Sequence, residues 1–265
     1  LRKAAGLDGI KAEVLKNDAC IDIFHKLFNH CFKSGQVPTC WNKGIISPIP
    51  KDNKNDHLVP ANYRGIALIS VPCKIYCDIL NRRISGWLEE NNLLADEQNG
   101  YRKNRNCVDH LYVLNSIISR RIRDKQNTFV SFIDMKKAFD NINHECLWFK
   151  LKKFGIGGRM FQAIQSLYHE VSYAVKVNGK LTQWFNISKG VKQGCCLSPT
   201  LFQMYINDLV SDINALECGI NIEGKQISIL LFADDIALVA RNEADLQRML
   251  HAVDLWCKKW RLTIN

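Results

Sequence analysis

Proline and glycine are scarce here, 6 and 15 in 265 residues, which excludes a collagen-like repeat or a Pro/Gly linker. No uninterrupted apolar run approaches the roughly 20 residues that a membrane helix needs. The longest, Ile227 to Ala240, is broken by Asp234 and Asp235, so no membrane partner is expected. The eleven cysteines contain no Cys-x-x-Cys; Cys73/Cys77 and Cys195–Cys196 are the closest spacings. Paired zinc ligands are therefore missing, and the thiols read as reduced groups of an intracellular protein. Leu1 to Asn17 carries charge throughout and has no apolar core of a secretion signal. The chain opens on leucine and stops after an amphipathic stretch, which suggests a segment of a longer protein. What is present is a 47% hydrophobic composition, enough to bury a core. Lys+Arg 36 against Asp+Glu 26 gives +10. That balance suits a polyanion, nucleic acid or an acidic membrane surface alike.

The charge is uneven. Residues 1–130 carry 20 Lys/Arg against 13 Asp/Glu, and residues 131–265 carry 16 against 13. Ile10, Val14, Leu15, Ile23, Leu27, Phe28 and Cys31 recur at helical spacing, and Gly35 and Pro38 end the pattern. Ile45 to Pro50 reads as a short strand whose two prolines predict an edge. Lys51 to Pro60 is a polar loop and Ile66 to Ser70 a returning strand. Val71 to Glu90 is predicted helical, with Ile75, Ile79, Ile84 and Leu88 inward. Val108 to Arg123 is a second long helix, with Leu111, Tyr112, Leu114, Ile118 and Ile122 inward. Thr128 to Ile133 is β-rich. Glu145 to Lys153 and Gly158 to Tyr168 are helices, and Asn178-Gly179 marks a hairpin between Ser172–Val177 and Gln183–Ser188. Pro199 to Asn214 is a helix. Ile227–Phe232 and Ile236–Ala240 are strands around Ala233-Asp234-Asp235, and Asn242 can cap a last helix with Leu246, Met249, Leu250, Val253 and Trp256 inward. That order is α+β.

Asp134 ends an apolar strand, and Asp234 and Asp235 occupy a turn between two more. Aspartate suits turns, so neither feature is informative alone. Three carboxylates converging on one rim would repel unless a cation is present. Oxygen-only ligands suit Mg²⁺ or Mn²⁺. Two such ions about 3.5–4 Å apart would serve phosphoryl transfer.

The residues around these aspartates carry a resemblance. Phe132-Ile-Asp-Met-Lys-Lys-Ala-Phe-Asp140, Ser188-Lys-Gly-Val-Lys-Gln-Gly-Cys-Cys-Leu-Ser-Pro-Thr-Leu-Phe202 and Phe232-Ala-Asp-Asp235 are similar in order and spacing to motifs A, B and C of reverse transcriptases. They look like the non-LTR (LINE-type) retrotransposon branch. Gly6-Leu-Asp-Gly-Ile-Lys-Ala-Glu13 resembles its N-terminal motif. Ile49-Pro-Lys51, Asn62-Tyr-Arg-Gly-Ile66 and Gln98-Asn-Gly-Tyr-Arg-Lys-Asn-Arg105 resemble its fingers motifs, and Leu262-Thr-Ile-Asn265 the start of motif D. Each motif alone is weak; the ordered set is specific and covers nearly the whole chain.

The resemblance implies a right-hand polymerase fold, with fingers in 1–127, a palm with an antiparallel sheet in 128–265, and the thumb absent. Asp134 and Asp234 would hold two Mg²⁺ or Mn²⁺ ions, with Asp235 sharing or supporting the site; Asp140 would be a secondary carboxylate. Lys51 and Arg64 would grip the incoming triphosphate. Phe139 would crowd a ribose 2′-OH, and Gln193 and Gly194 would seat the nucleotide on its template base. Arg102 and Arg105 would touch template. The implied partners are an RNA template, a DNA primer and dNTPs, and the parent protein would carry an endonuclease and act in the nucleus. The chain departs from the family pattern at Cys196 and Gly65, where proline is usual, and at Leu7 and Lys11, where proline is common. The motif D lysine would follow Asn265. A decayed or domesticated domain that only binds nucleic acid is the alternative, against which all three aspartates are intact.

Overall fold

Where the sequence offers a cap, a helix begins. In the computed structural model, which describes residues 5–52, 56 and 58–265, Asn17 accepts from the Ala19 amide and Gly35 ends the helix at φ 69°, bounding α1 as Asp18–Ser34. Strands β1 (Lys43–Pro50) and β2 (Tyr63–Leu68) precede α2 (Val71–Glu90). A capping box between Asn106 and Asp109 starts α3 (Cys107–Arg123). Then come β3 (Phe129–Ile133), α4 (Ala138–Asn141), α5 (His144–Lys153) and α6 (Gly158–Ser166). They are followed by β4 (Ser172–Val177), β5 (Lys180–Leu181), β6 (Phe185–Asn186), α7 (Leu197–Asn214), β7 (Ile220–Ile222), β8 (Lys225–Ile227), β9 (Ile229–Phe232), β10 (Asp235–Ala240) and α8 (Glu243–Lys259).

The chain forms two compact units. One comprises residues 1–86 and 148–198, the other residues 87–147 and 199–265. The first holds a sheet of order β2-β1-β4-β5, with β6 also on β4. Asn178 (φ 49°) and Gly179 (φ 81°) make the β4–β5 turn left-handed at both central positions, as a tight hairpin requires. Phe24, Phe28, Trp41 and Tyr76 form a chain of ring contacts with centroids 5.5–6.1 Å apart.

Two expectations need correction here. Strand β1 is not an edge: it pairs antiparallel with β2 over Ile45–Pro50 and parallel with β4 over Lys43–Ile46. The Lys51 amide donates to the Asn62 carbonyl at 2.9 Å, which fixes the alternation so that Pro48 and Pro50 face away from β2. On that side the pairing with β4 stops at Ile46, so neither proline interrupts a ladder. In α1, Ile23 points to solvent, whereas Phe24 and Cys31 are buried.

The second unit is built on an antiparallel sheet of order β3-β10-β9. Helix α8 packs on it, capped by Asn242, with Met249, Val253 and Trp256 buried. Helix α3 differs from expectation: Ile117 is its buried residue, packed near Ile220 and Val239 with Val113 and Leu114, while Leu111, Tyr112 and Ile122 are exposed. The helix carries apolar residues on two faces, and spacing does not choose between them.

At Gly44, opposite Tyr173 on β4, a Cβ would come within 2.2 Å of the Tyr173 ring. Gly44→Ala is expected to destabilise the protein by about 1–3 kcal/mol, read as a lower urea midpoint at unchanged slope.

Candidate active site

Register places the carboxylates. The β3–β10 ladder pairs Ile133 with Ile236, so the next step sets Asp134 opposite Asp235. Phe232 pairs with Asp235, leaving Ala233 and Asp234 as a two-residue turn. Asp134, Asp234 and Asp235 therefore share one end of one sheet. Asp234 is half-buried. Its carboxyl is pushed above the ordinary aspartate range, first by burial and then by the charges of Asp235 and Asp134, against a backbone hydrogen bond that lowers it. Asp134 is exposed; its Oδ2 accepts from Asn265 Nδ2 at 2.9 Å, and its carbonyl accepts from the Asn265 amide at 2.9 Å.

The turn itself is strained and clamped. Ala233 sits at φ 59°, a left-handed conformation that costs a non-glycine residue about 1–2 kcal/mol. The Gln98 side chain, 1% exposed, satisfies both of its backbone groups: Oε1 accepts from the Ala233 amide at 2.9 Å, and Nε2 donates to the Ala233 carbonyl at 3.1 Å. The same Oε1 accepts from the Gly100 amide at 2.8 Å. The segment runs as a short parallel partner of β9. Leu231 donates to Glu97 O at 2.8 Å, and Asn99 N donates to Leu231 O at 2.9 Å. His110 Nε2 also contacts Leu231 O, at 2.9 Å, and its Nδ1 faces Asn99 Nδ2 at 3.3 Å. A neutral ring protonated on Nε2 satisfies both contacts. Gly100 is required by this approach, since a Cβ there would lie 2.2 Å from the Ala233 nitrogen. Gln203 Nε2 donates to the Gly100 carbonyl.

Phe139, on α4, is half-buried. It stacks on Phe202 with centroids 4.7 Å apart and planes at 16°, and meets Tyr101 edge-on at 6.3 Å and 78°. Arg102 is 5% exposed at its side chain. It grips Glu89 through Nε (2.8 Å) and Nη2 (2.6 Å) and donates through Nη1 to Ala95 O (2.8 Å). These bonds fix the orientation of the guanidinium. The guanidinium hydrogen bond holds the Glu89 carboxyl below its usual range. Arg105 is bonded to the Asp96 carboxylate and carbonyl, each at 2.8 Å, and keeps partial exposure.

The remaining assigned residues belong to the first unit. Gln193 and Gly194 form a turn, with Gly194 at φ 88°. Its base is fixed by Lys192, a buried lysine whose Nζ donates to Trp41 O at 2.9 Å and Asn42 Oδ1 at 3.2 Å. Ser198 Oγ and the Cys195 amide both donate to Lys192 O, at 2.8 and 3.1 Å. Lys51 is exposed at the end of β1. The side chain of Arg64 lies outside the described residues; its backbone pairs with Ile49. Sequence reading did not single out Gln98, Tyr101, Lys192 or Phe202 for these roles.

Among the described residues, no three His, Cys, Asp or Glu side chains are drawn in close enough to hold a metal ion. The donor set nonetheless suits a hard cation. It is made of carboxylate oxygens only, and the burial and like charges that raise Asp234 are what a bound cation would offset.

Residues 49–265 match the family described as reverse transcriptase (RNA-dependent DNA polymerase), and the chain belongs to that family. It is 28% identical over 273 residues to the probable RNA-directed DNA polymerase from transposon BS of Drosophila melanogaster, covering 100% of this chain and 30% of that protein. It is 29% identical over 264 residues to a Pol polyprotein from the type-1 retrotransposable element R2 of Popillia japonica, covering 99% and 36%. Its relatives are thus polymerases of non-LTR retrotransposons, and the chain spans about a third of these two. The apo telomerase of Candida tropicalis, truncated from its C-terminal domain, superposes with a TM-score of 0.60 at 15% identity, covering 92% of this chain and 54% of that one. The fold is that of a right-hand polymerase.

Two outcomes are expected. Gln98→Ala would orphan three buried backbone groups and lower stability by about 2–4 kcal/mol, measured by urea denaturation. Asp234→Asn removes a desolvated charge from among like charges, so without divalent cation it should raise Tm by about 1–3 °C. Added Mg²⁺ should stabilise the wild type more than the variant, checked by thermal melts with and without the ion.

Proposed function

We propose that the chain is the fingers and palm of an RNA-directed DNA polymerase from a non-LTR (LINE-type) retrotransposon, with fingers in 1–127 and palm in 128–265. In this reading it copies RNA by extending a DNA primer 3′-OH with dNTPs and releasing pyrophosphate. The observation that carries the reading is the convergence of Asp134, Asp234 and Asp235 at one end of the β3-β10-β9 sheet, with Asp234 raised by burial and by the other two.

Asp134 and Asp234 are the residues that would hold two Mg²⁺ or Mn²⁺ ions, with Asp235 sharing the site. When bound, such ions acidify an attacking hydroxyl and neutralise charge on a leaving phosphate. The protein's own contribution is placement. Lys51 and Arg64 bind the triphosphate, Gln193 and Gly194 seat the nucleotide, and Phe139 excludes a ribose 2′-OH. Arg102 and Arg105 contact template, each oriented by its own carboxylate partner, Glu89 and Asp96. The full-length protein carries an endonuclease, acts in the nucleus and primes synthesis on nicked target DNA.

Primer extension on poly(rA)/oligo(dT) tests the reading with the full-length protein in Mg²⁺ and in Mn²⁺. Asp234→Asn should lower the rate by about 10³-fold, since charge stabilisation by such ions is worth several kcal/mol. Unchanged activity in that variant would sink the metal assignment. A wild type that binds nucleic acid but never extends a primer would favour a binding-only domain.

A further inference from the structure

We propose that Tyr101 is a specificity-determining residue of this polymerase: its ring confines Phe139 against Phe202, so that the sugar pocket cannot open to a 2′-hydroxyl. The proposal rests on the polymerase reading and on Phe139 as the residue that meets the sugar.

Burial does not account for Tyr101. The residue is 62% exposed and sits at φ 59°, so both its exposure and its backbone are unfavourable for a large aromatic. Its neighbours enforce the placement. Gln98 and Gln203 fix both backbone polar groups of Gly100, and Gly100 lies too close to Ala233 for any side chain. The strained residue is thereby delivered beside the turn that carries Asp234. Partial desolvation and then the Asp234 charge raise the Tyr101 hydroxyl above the ordinary tyrosine range.

Phe139 is then held from two directions. Phe202, fully buried on α7, lies flat against it at 4.7 Å, and Tyr101 stands edge-on at 6.3 Å. Parallel stacking alone lets a ring slide in its plane; an edge-on neighbour blocks that slide. A gate works only if it cannot move aside for one extra oxygen, so the brace converts a bulky residue into a discriminating one.

The test measures kcat/KM for dATP and for ATP separately, on one primed RNA template. It uses the full-length wild type, Tyr101→Phe, Tyr101→Asn, Phe139→Ala, and the double variant Tyr101→Asn/Phe139→Ala. Asparagine tolerates a left-handed backbone, and Tyr101→His repeats the test with another tolerant residue. In Tyr101→Asn the ATP/dATP ratio should rise about three- to tenfold, the worth of one aromatic contact, chiefly through a lower KM for ATP. Tyr101→Phe should keep the wild-type ratio, and the double variant should match Phe139→Ala alone. Equal losses on both nucleotides, or additive effects in the double variant, would overturn the brace. A Phe139→Ala protein that gains no use of ATP would overturn the gate and the brace together. A wild type that extends no primer would instead fail the polymerase reading on which both rest.

Discussion

One glutamine side chain holds the aspartate-bearing end of the second unit in shape. A two-residue connection between β9 and β10 puts Ala233 in a left-handed conformation, and its amide and carbonyl point away from the ladder. Gln98 supplies the donor and the acceptor that those groups need. Because the amide also binds Gly100, the loop bearing Tyr101 and the turn bearing Asp234 are joined through a single buried group. The same turn sets the register that pairs Asp235 with Phe232, and the β3 ladder on the other side of β10 brings Asp134 opposite Asp235. Aspartates that repel one another are thus presented on a backbone with no slack.

Much of the scaffold was legible in the residue order. Helix α2 has the bounds that its spacing implied, and the Asn178-Gly179 turn and the Asn242 cap are where their chemistry puts them. Local rules suffice when the deciding partners are a few residues away. They failed where the partner is distant. The prolines of β1 looked like edge residues because nothing local reveals that β4 pairs with only half of the strand. The buried stripe of α3 was misplaced because the helix has two apolar faces. The aspartates could be read because they sit beside apolar runs in a specific motif order. The clamp could not, since Gln98 and Ala233 are 135 positions apart and a lone glutamine has no periodicity to betray it.

The net charge also has a different meaning in the folded chain. A formal +10 suggests a freely basic surface, yet several cations work inside the protein. Lys192 is buried under the motif B turn, Arg102 is bound to Glu89 and the 95–98 loop, and Arg105 is tied to Asp96. A buried cation survives only when it is hydrogen-bonded, and Lys192 and Arg102 are each held by backbone or side-chain oxygens. Part of the excess that composition assigns to a polyanionic partner therefore organises loops instead.

Neither unit is a continuous stretch of chain. The first needs residues 148–198 to complete what residues 1–86 begin, and the second needs residues 199–265. Its strand β3, which leads into Asp134, finds its partner β10 only about a hundred residues later. As the chain leaves the ribosome, β1 and β2 can pair at once, but β4 must wait, and β3 emerges with both edges unpaired. Such distant pairing makes folding slow and leaves strands exposed to wrong partners in the interval. Nor does any single cut separate the two units: residues 87–265 hold the whole of the second, but they carry with them residues 148–198, which the core of the first requires.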